Sequence, residues 1–196
     1  MNTKLCLAAV AAAATLLPTA ALAQRTPAAV VAVVDTDRIA SECTACRAAA
    51  TQLQSQQASL RSRAQTLQQQ LQAQAQPIQT AVNALAGKQP DAALRQRITA
   101  LETAQRNAQQ ELARAEQNLQ SSQLNVNRQI GGRLSTIVGS VAAARGANIA
   151  VDKGNTIYAA PAVEITNEVL AQLNQQLPSV SVTPLPQNQQ QRPQGR

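Results

Sequence analysis

The sequence predicts an α+β protein in which a small β-body carries a long antiparallel helical hairpin. Two observations support this fold class. Apolar residues recur at alternating steps of three and four over residues 53–85 and 94–141, the spacing of helices that pack along a coiled-coil seam. Short β-branched runs flank this helical region on both sides, as expected of short buried strands.

Residues 1–23 have the three parts of a secretory signal peptide. Lys4 supplies a positive charge, an apolar run follows over residues 5–17, and small residues end the segment at Ala23. The apolar run is shorter than the ~20 residues that a membrane-spanning helix needs. We therefore expect cleavage between Ala23 and Gln24 and a mature chain in the periplasm.

Residues 24–46 predict the first part of the β-body. A β-branched run over residues 30–34 has the composition of a fully buried strand. Asp35 and Asp37 follow where the strand should give way to a short helix, and helix capping is the simplest role for both.

Residues 47–145 predict the helical-hairpin tentacle, with its tip near residues 87–91, where glycine and proline interrupt the seam. Arms of about 40 residues are on the order of 60 Å long, too long for a compact domain, so they must project. Leucine in the seam is diluted with alanine and glutamine, which lowers the apolar area that each turn can bury. Pro77 lies inside the first arm and predicts a kink or a hinge there.

Residues 146–177 predict the second part of the body. Two short apolar runs, 147–151 and 156–159, flank a turn-forming segment in the pattern of a β-hairpin. A short helix with one apolar face follows, and Thr166 is a candidate for its N-cap. The Pro/Gln-rich segment 178–196 offers little to bury and is predicted to be disordered.

Strands this short and this few are not stable alone, and their edges need cover. Another copy of the same chain is the simplest cover. We therefore expect an oligomer that is held together by the β-body, through the apolar residues Val31, Val33, Ile149, Val151 and Ile157.

The charge of the chain limits its partners. The sequence has 17 basic and 10 acidic residues, a formal net charge of +7, which favours anionic partners such as anionic lipid or lipopolysaccharide. Export argues against nucleic acid. A solvated helix surface is the simpler role for any single arginine, but together the arginines give the arms a positive field. Those that we expect to face a bound partner are Arg61, Arg63, Arg95, Arg97, Arg106 and Arg114.

Both ends of the mature chain resemble the Skp/OmpH family of periplasmic chaperones. The segments that carry the resemblance are Val31–Asp35, Ala144–Asp152, Ile157–Ala159 and Glu164–Leu170. The resemblance covers roughly residues 30–177 and implies a homotrimer with a small β-barrel body and three helical tentacles around a cavity. Family members hold unfolded outer-membrane proteins in this cavity without ATP. For this chain, the resemblance implies the same clients.

Cys43 and Cys46 form a Cys-x-x-Cys pair, which in an exported protein raises the question of redox chemistry. The βαβ context of thioredoxin-type sites is missing, and a chain without histidine lacks the further ligands that zinc needs. A structural disulfide between the two is therefore the preferred interpretation. Disulfides between subunits and free thiols remain the alternatives.

Catalysis is not expected. Histidine, the commonest general base, does not occur in the chain, and no glycine-rich phosphate loop or cofactor motif is present, so we expect neither an enzyme nor a cofactor. The main alternative to a chaperone is a structural or adaptor coiled coil of the cell envelope that binds one folded partner. Such an adaptor should carry ordered charge pairs at the e and g positions, and the arms do not show them.

Overall fold

A computed structural model describes residues 27–186 of the chain. The predicted signal peptide, its cleavage site at Ala23 and Gln24, and residues 187–196 lie outside the described residues. Most of the described chain is helical, with a small sheet and two long helices, as the predicted α+β class requires. The elements in chain order are β1 (Val31–Val34), α1 (Thr36–Glu42), α2 (Thr44–Ala84), α3 (Ala92–Ala144), β2 (Ile149–Asp152) and α4 (Thr166–Gln176), with short 3-10 turns at Lys153–Asn155 and Pro161–Val163.

β1 and β2 pair in parallel, with Val31 opposite Ile149 and Val34 opposite Asp152. Parallel strands cannot be joined by a tight turn and need a crossover connection. Here the crossover is the whole helical region, α1 to α3. The body therefore closes only when the segments before α1 and after α3 meet.

The core of the body lies where α1, the start of α2, the end of α3 and α4 pack around the sheet. The backbone N–H of Ile165 donates to the Val33 carbonyl at 2.9 Å, which ties the start of α4 to β1. The most deeply buried apolar side chains, each at most 1% exposed, are Ile39, Cys43, Ile137, Val169 and Leu173. All of them are small or medium-sized aliphatic or sulfur-containing groups, because the sequence has a single aromatic residue.

The β-hairpin predicted over residues 147–151 and 156–159 is wrong. Only its first half is a strand, and β2 pairs with β1 instead. The Asp152 carboxylate accepts from the Gly154 N–H at 2.6 Å and starts the 3-10 turn, which leads the chain away from the sheet. The residues that should have formed the second strand are irregular, and Ile157 and Tyr158 are 107% and 82% exposed.

The two long helices, α2 with 41 residues and α3 with 53, are about 60 Å and about 80 Å long at the usual helical rise. They are joined by residues 85–91 and pack against each other; we call them the helical pair. Ala86 and Gly87 have positive φ values of 49° and 89° at this turn, and Asp91 caps α3 by accepting from the Leu94 N–H at 2.7 Å. α2 continues as a helix through Pro77.

The prediction that residues 178–196 are disordered is wrong for residues 178–186. Val182 is 5% exposed and packs with Ala49 of α2 and Val126 of α3. Val180 packs against the same cluster and against the core of the body. Composition did not predict this packing, because the segment is Pro/Gln-rich on average and yet contains two β-branched residues that can be buried.

Candidate functional site

Residues 180–185 lie in a groove between α2 and α3 next to the body, and we call them the docked tail. Burial alternates over residues 180–183: Val180 is half-buried and Val182 is buried, whereas Ser181 and Thr183 are exposed; the alternation ends at Pro184, which is exposed as well. Alternation of this kind is typical of a segment with one face on a surface and one in solvent. The groove thus holds the docked tail by one face.

Gln129 of α3 binds the backbone of the docked tail with both ends of its side-chain amide. Its Oε1 accepts from the Ser181 N–H at 3.1 Å, and its Nε2 donates to the Ser181 carbonyl at 2.9 Å. A neighbouring β-strand would satisfy a residue in the same way, with one donor and one acceptor. α3 therefore binds the backbone of Ser181 as the edge strand of a β-sheet would.

Three further polar side chains of the helical pair hydrogen-bond to backbone atoms of the docked tail. None of these bonds depends on which side chain the tail carries. The three bonds run from Gln56 Nε2 to the Val182 carbonyl at 3.0 Å, from Asn125 Nδ2 to the Thr183 carbonyl at 3.0 Å, and from the Leu185 N–H to Ser121 Oγ at 2.8 Å.

The groove continues beyond the docked tail as an open cavity of about 540 Å³ between the helices. Pro184 and Ser122 line one part of it, and the ion pair between Arg63 and Glu111 lines another. The hydrogen bond from the Arg63 guanidinium, at 2.5 Å, lowers the pKa of Glu111 below its ordinary value. The hydroxyl of Ser122 is buried and has no hydrogen-bond partner among residues 27–186. Leu60, Leu112 and Leu119 supply apolar lining.

The six arginines expected to face a partner are all exposed, and they are spread along the helical pair rather than gathered at one point. Arg63 is paired with Glu111. Two others hydrogen-bond to neighbours on the surface: Arg95 Nη1 donates to the Pro90 carbonyl at 2.6 Å, and Arg106 Nη2 to Thr103 Oγ1 at 2.9 Å. Arg61, Arg97 and Arg114 are exposed as well. The helical pair therefore has a dispersed positive surface.

The residues predicted to hold subunits together divide into two groups. Val33 is 3% exposed and is buried within its own chain; its contribution to holding subunits together stays a prediction. Val151 is half-buried. Val31 and Ile149, which face each other across the sheet, are 38% and 43% exposed, and Ile157 is fully exposed.

A polar cluster ties β1, β2 and α4 together. Asp35 caps α1 by accepting from the Arg38 N–H at 2.8 Å, as expected of it. Its own N–H donates to Thr166 Oγ1 at 3.0 Å, and Lys153 Nζ lies 3.7 Å from its carboxylate and 3.2 Å from that of Glu164. Thr166 is the first residue of α4 and Ile165 is its N-cap, so the predicted N-cap is off by one residue.

Asp152 completes this cluster at the end of β2. The Thr36 hydroxyl donates to its carboxylate, and this hydrogen bond, together with that from the Gly154 N–H, lowers the pKa of Asp152 below its ordinary value. These carboxylates serve capping and cross-linking. Within residues 27–186, no cluster of three or more histidine, cysteine or acidic side chains could hold a metal ion.

Cys43 lies at the junction of α1 and α2. Its N–H donates to the Ile39 carbonyl at 2.9 Å, and its Sγ accepts from the Cys46 N–H at 3.2 Å, so it ends one helix and starts the next. The two sulfur atoms are bonded to each other, and the residues are 0% and 7% exposed. Neither sulfur is presented to a substrate, which favours a structural role.

The four residues that bind the docked tail were missed at the sequence level. Polar residues on exposed helices are common, and nothing in their spacing marks them as a binding site. The signal that could have found the groove lies in the tail itself, where Val180 and Val182 alternate with Ser181 and Thr183 in a β-type pattern.

A body of two parallel strands and short helices, from which two long joined helices extend, defines the class of protein. The chain matches the family model described as outer membrane protein (OmpH-like) over residues 30–173, and it belongs to this family. The predicted resemblance is thereby confirmed. The docked tail lies beyond the matched region.

Among solved structures, the fold is similar to that of a candidate outer membrane chaperone (OmpH-like) from Caulobacter crescentus CB15. The TM-score is 0.66 at 17% sequence identity, over 84% of this chain and 95% of that chain. At this identity the likeness concerns the fold. No curated protein matches the sequence. No helix among residues 27–186 is long and apolar enough to cross a membrane.

Proposed function

We propose that this protein is an ATP-independent periplasmic holdase that binds unfolded outer-membrane proteins. Membership of the OmpH-like family is the observation that carries the proposal. The similarity of the fold to that of the Caulobacter protein supports it, since that protein is itself a candidate outer membrane chaperone. Residues 1–23, with their secretory pattern, would direct the chain to the periplasm.

The helical pair would serve as an antiparallel coiled-coil tentacle. Contacts between its helices support this arrangement: Ala49 packs near Val126, and Arg63, which is nearer the turn on α2, pairs with Glu111, which is nearer the turn on α3. Few large side chains are buried along the pair. A sparse interface of this kind favours arms that can flex around a client.

A homotrimer would complete the body. Val31 and Ile149 expose apolar surface on the sheet, and the irregular segment that contains Ile157 and Tyr158 is rich in residues that favour strands. Adjacent exposed apolar side chains such as Val31 and Ile149 suit a surface that another chain covers. The resemblance to Skp/OmpH proteins implies three copies around a cavity.

Clients would be held by many weak contacts. The dispersed arginines attract acidic segments at long range, and the groove between the helices offers apolar area. Summed over three tentacles, such contacts can give high avidity although each is weak. Release then requires only transfer to a membrane-bound acceptor that binds the client more tightly. The same positive surface suits anionic lipid or lipopolysaccharide.

An aggregation assay tests the proposal. A urea-unfolded porin is diluted into buffer with or without the mature protein, and light scattering is followed. The proposal predicts that scattering is suppressed at about one trimer per porin. Unchanged scattering with an intact trimer would refute the holdase function and favour an envelope adaptor that binds a folded partner.

Charge variants test the role of the arginines. Arg97→Gln combined with Arg106→Gln should slow capture of the porin about threefold at low salt and less at high salt, because exposed charge acts mainly on the association rate. The matched control combines Arg47→Gln with Arg133→Gln. It removes the same charge from exposed positions nearer the body and should have a smaller effect.

A further inference from the structure

The docked tail lies outside the region that matches the family model. The match ends at residue 173, whereas the docked tail spans residues 180–185. It nonetheless has a built site, with five hydrogen bonds between side chains of the helical pair and its backbone. A segment beyond the matched region therefore occupies a groove that is equipped to hold a polypeptide.

The groove recognises the backbone of a polypeptide and one type of side chain. The five hydrogen bonds all involve main-chain atoms of the tail, so they tolerate different sequences. Val182 is the buried side chain of the described tail and lies between Ala49 and Val126, where the small alanine leaves space for a β-branched residue. The ligand class is thus a polypeptide segment that alternates small β-branched with polar residues, the pattern of a strand with one apolar face.

The docked tail does not satisfy every group in the groove. Ser122 Oγ is buried, has no hydrogen-bond partner in the part of the chain that the structure describes, and lines the cavity together with Pro184. Proline has no N–H to donate, so the tail supplies no backbone donor at this position. The cavity also extends past Pro184 to the pair of Arg63 and Glu111. Another segment could satisfy Ser122 and fill more of the groove than the tail does.

We propose that this groove is a binding site for strand-like segments of unfolded polypeptides, and that the docked tail is a built-in competitor that covers it. Clients enter the groove only by displacing the tail. The inference rests on the proposed function for the identity of the clients, but the groove and its competition with the tail can be tested without any client.

The competition has a predictable size. Only residues 177–179 separate α4 from the docked tail, so the tail meets the groove at an effective concentration in the millimolar range. If the tail occupies the groove for nine tenths of the time or more, the apparent affinity for a free peptide falls at least tenfold, because only the uncovered fraction binds. Release of the tail should therefore raise the apparent affinity for the peptide by the same factor.

The test uses a fluorescein-labelled peptide with the sequence of residues 179–186 and measures its binding by fluorescence anisotropy. The full mature chain with Val182→Asp should bind the peptide at least tenfold more tightly than the wild type, because a charged residue cannot enter the apolar position. The matched control Ser179→Asp adds the same charge at an exposed position and should bind like the wild type.

A second variant shows that the peptide binds in the groove. Adding Gln129→Ala to Val182→Asp should weaken peptide binding about tenfold, since two backbone hydrogen bonds are lost. Circular dichroism establishes that each variant keeps its helix content. Equal binding to the wild type and to Val182→Asp, binding to neither, or binding that ignores Gln129→Ala would overturn the proposal.

The porin assay separates this inference from the proposed function. If porin is held but the peptide results are negative, the groove proposal fails and the holdase function stands. If the peptide results are positive but porin is not held, the groove and its competitor stand and the holdase function fails. Faster porin capture by Val182→Asp than by Ser179→Asp would support both.

Discussion

Leu173 is the residue on which the packing of α4 against the body depends most. Its side chain is 0% exposed and belongs to the main core cluster, together with Ile39, Ile137 and Val169. Leu173→Ala removes three carbon atoms from this site. At about 0.8 kcal/mol for each carbon, the lost transfer free energy is about 2.4 kcal/mol, and the cavity left behind raises the expected cost to about 3–4 kcal/mol.

The matched control is Leu170→Ala on the same helix, because Leu170 is only half-buried and packs at the margin of the cluster. We expect it to cost about 1 kcal/mol, in proportion to the smaller area that it buries. Urea unfolding at one fixed protein concentration measures both variants. Circular dichroism reports the loss of helix in both variants. Equal costs for the two variants would refute the assignment of Leu173 to a tightly packed core.

Three further predictions concern buried polar groups and the cysteines. Ser122→Ala should raise the free energy of unfolding by about 1 kcal/mol, because it removes a buried hydroxyl without a partner and favours the helix; an unchanged or lower urea midpoint would contradict this. The pKa of Asp152 is lower in the folded state, so its contribution to stability is complete above the unfolded-state pKa of about 4 and is lost as the pH falls below it. Asp152→Asn should therefore reduce the slope of the unfolding free energy against pH at acid pH. An equal slope in the variant would count against the role given to this carboxylate. Replacing Cys43 and Cys46 by serine should cost about 2 kcal/mol of stability, the entropic value for so short a loop, yet preserve porin holding; a complete loss of activity would instead indicate redox chemistry.

Local pattern was enough to predict the helices and the first strand. Helical periodicity is a property of neighbouring turns, so the seams over residues 53–85 and 94–141 could be read directly. The valine run of β1 is likewise a local signal. The cap at Asp35 belongs to the same class, because a cap bonds to a backbone N–H three residues away.

Pairings between residues that are far apart in the sequence could not be predicted. Residues 152–155 suit a hairpin turn as well as a 3-10 turn, and the pairing of β2 depends on β1, more than a hundred residues earlier in the chain. The groove was missed for the same reason. Gln129 meets Ser181 only because the chain folds back across the helical pair, and composition alone made the tail look too polar to dock.

The central claim is that this chain forms a trimer that holds one unfolded outer-membrane protein. Native mass spectrometry of the mature protein, alone and after an unfolded porin is diluted into it, tests the claim most directly. We expect a trimer that gains the mass of one porin chain. A monomer, or a trimer whose mass does not change when porin is added, would contradict it.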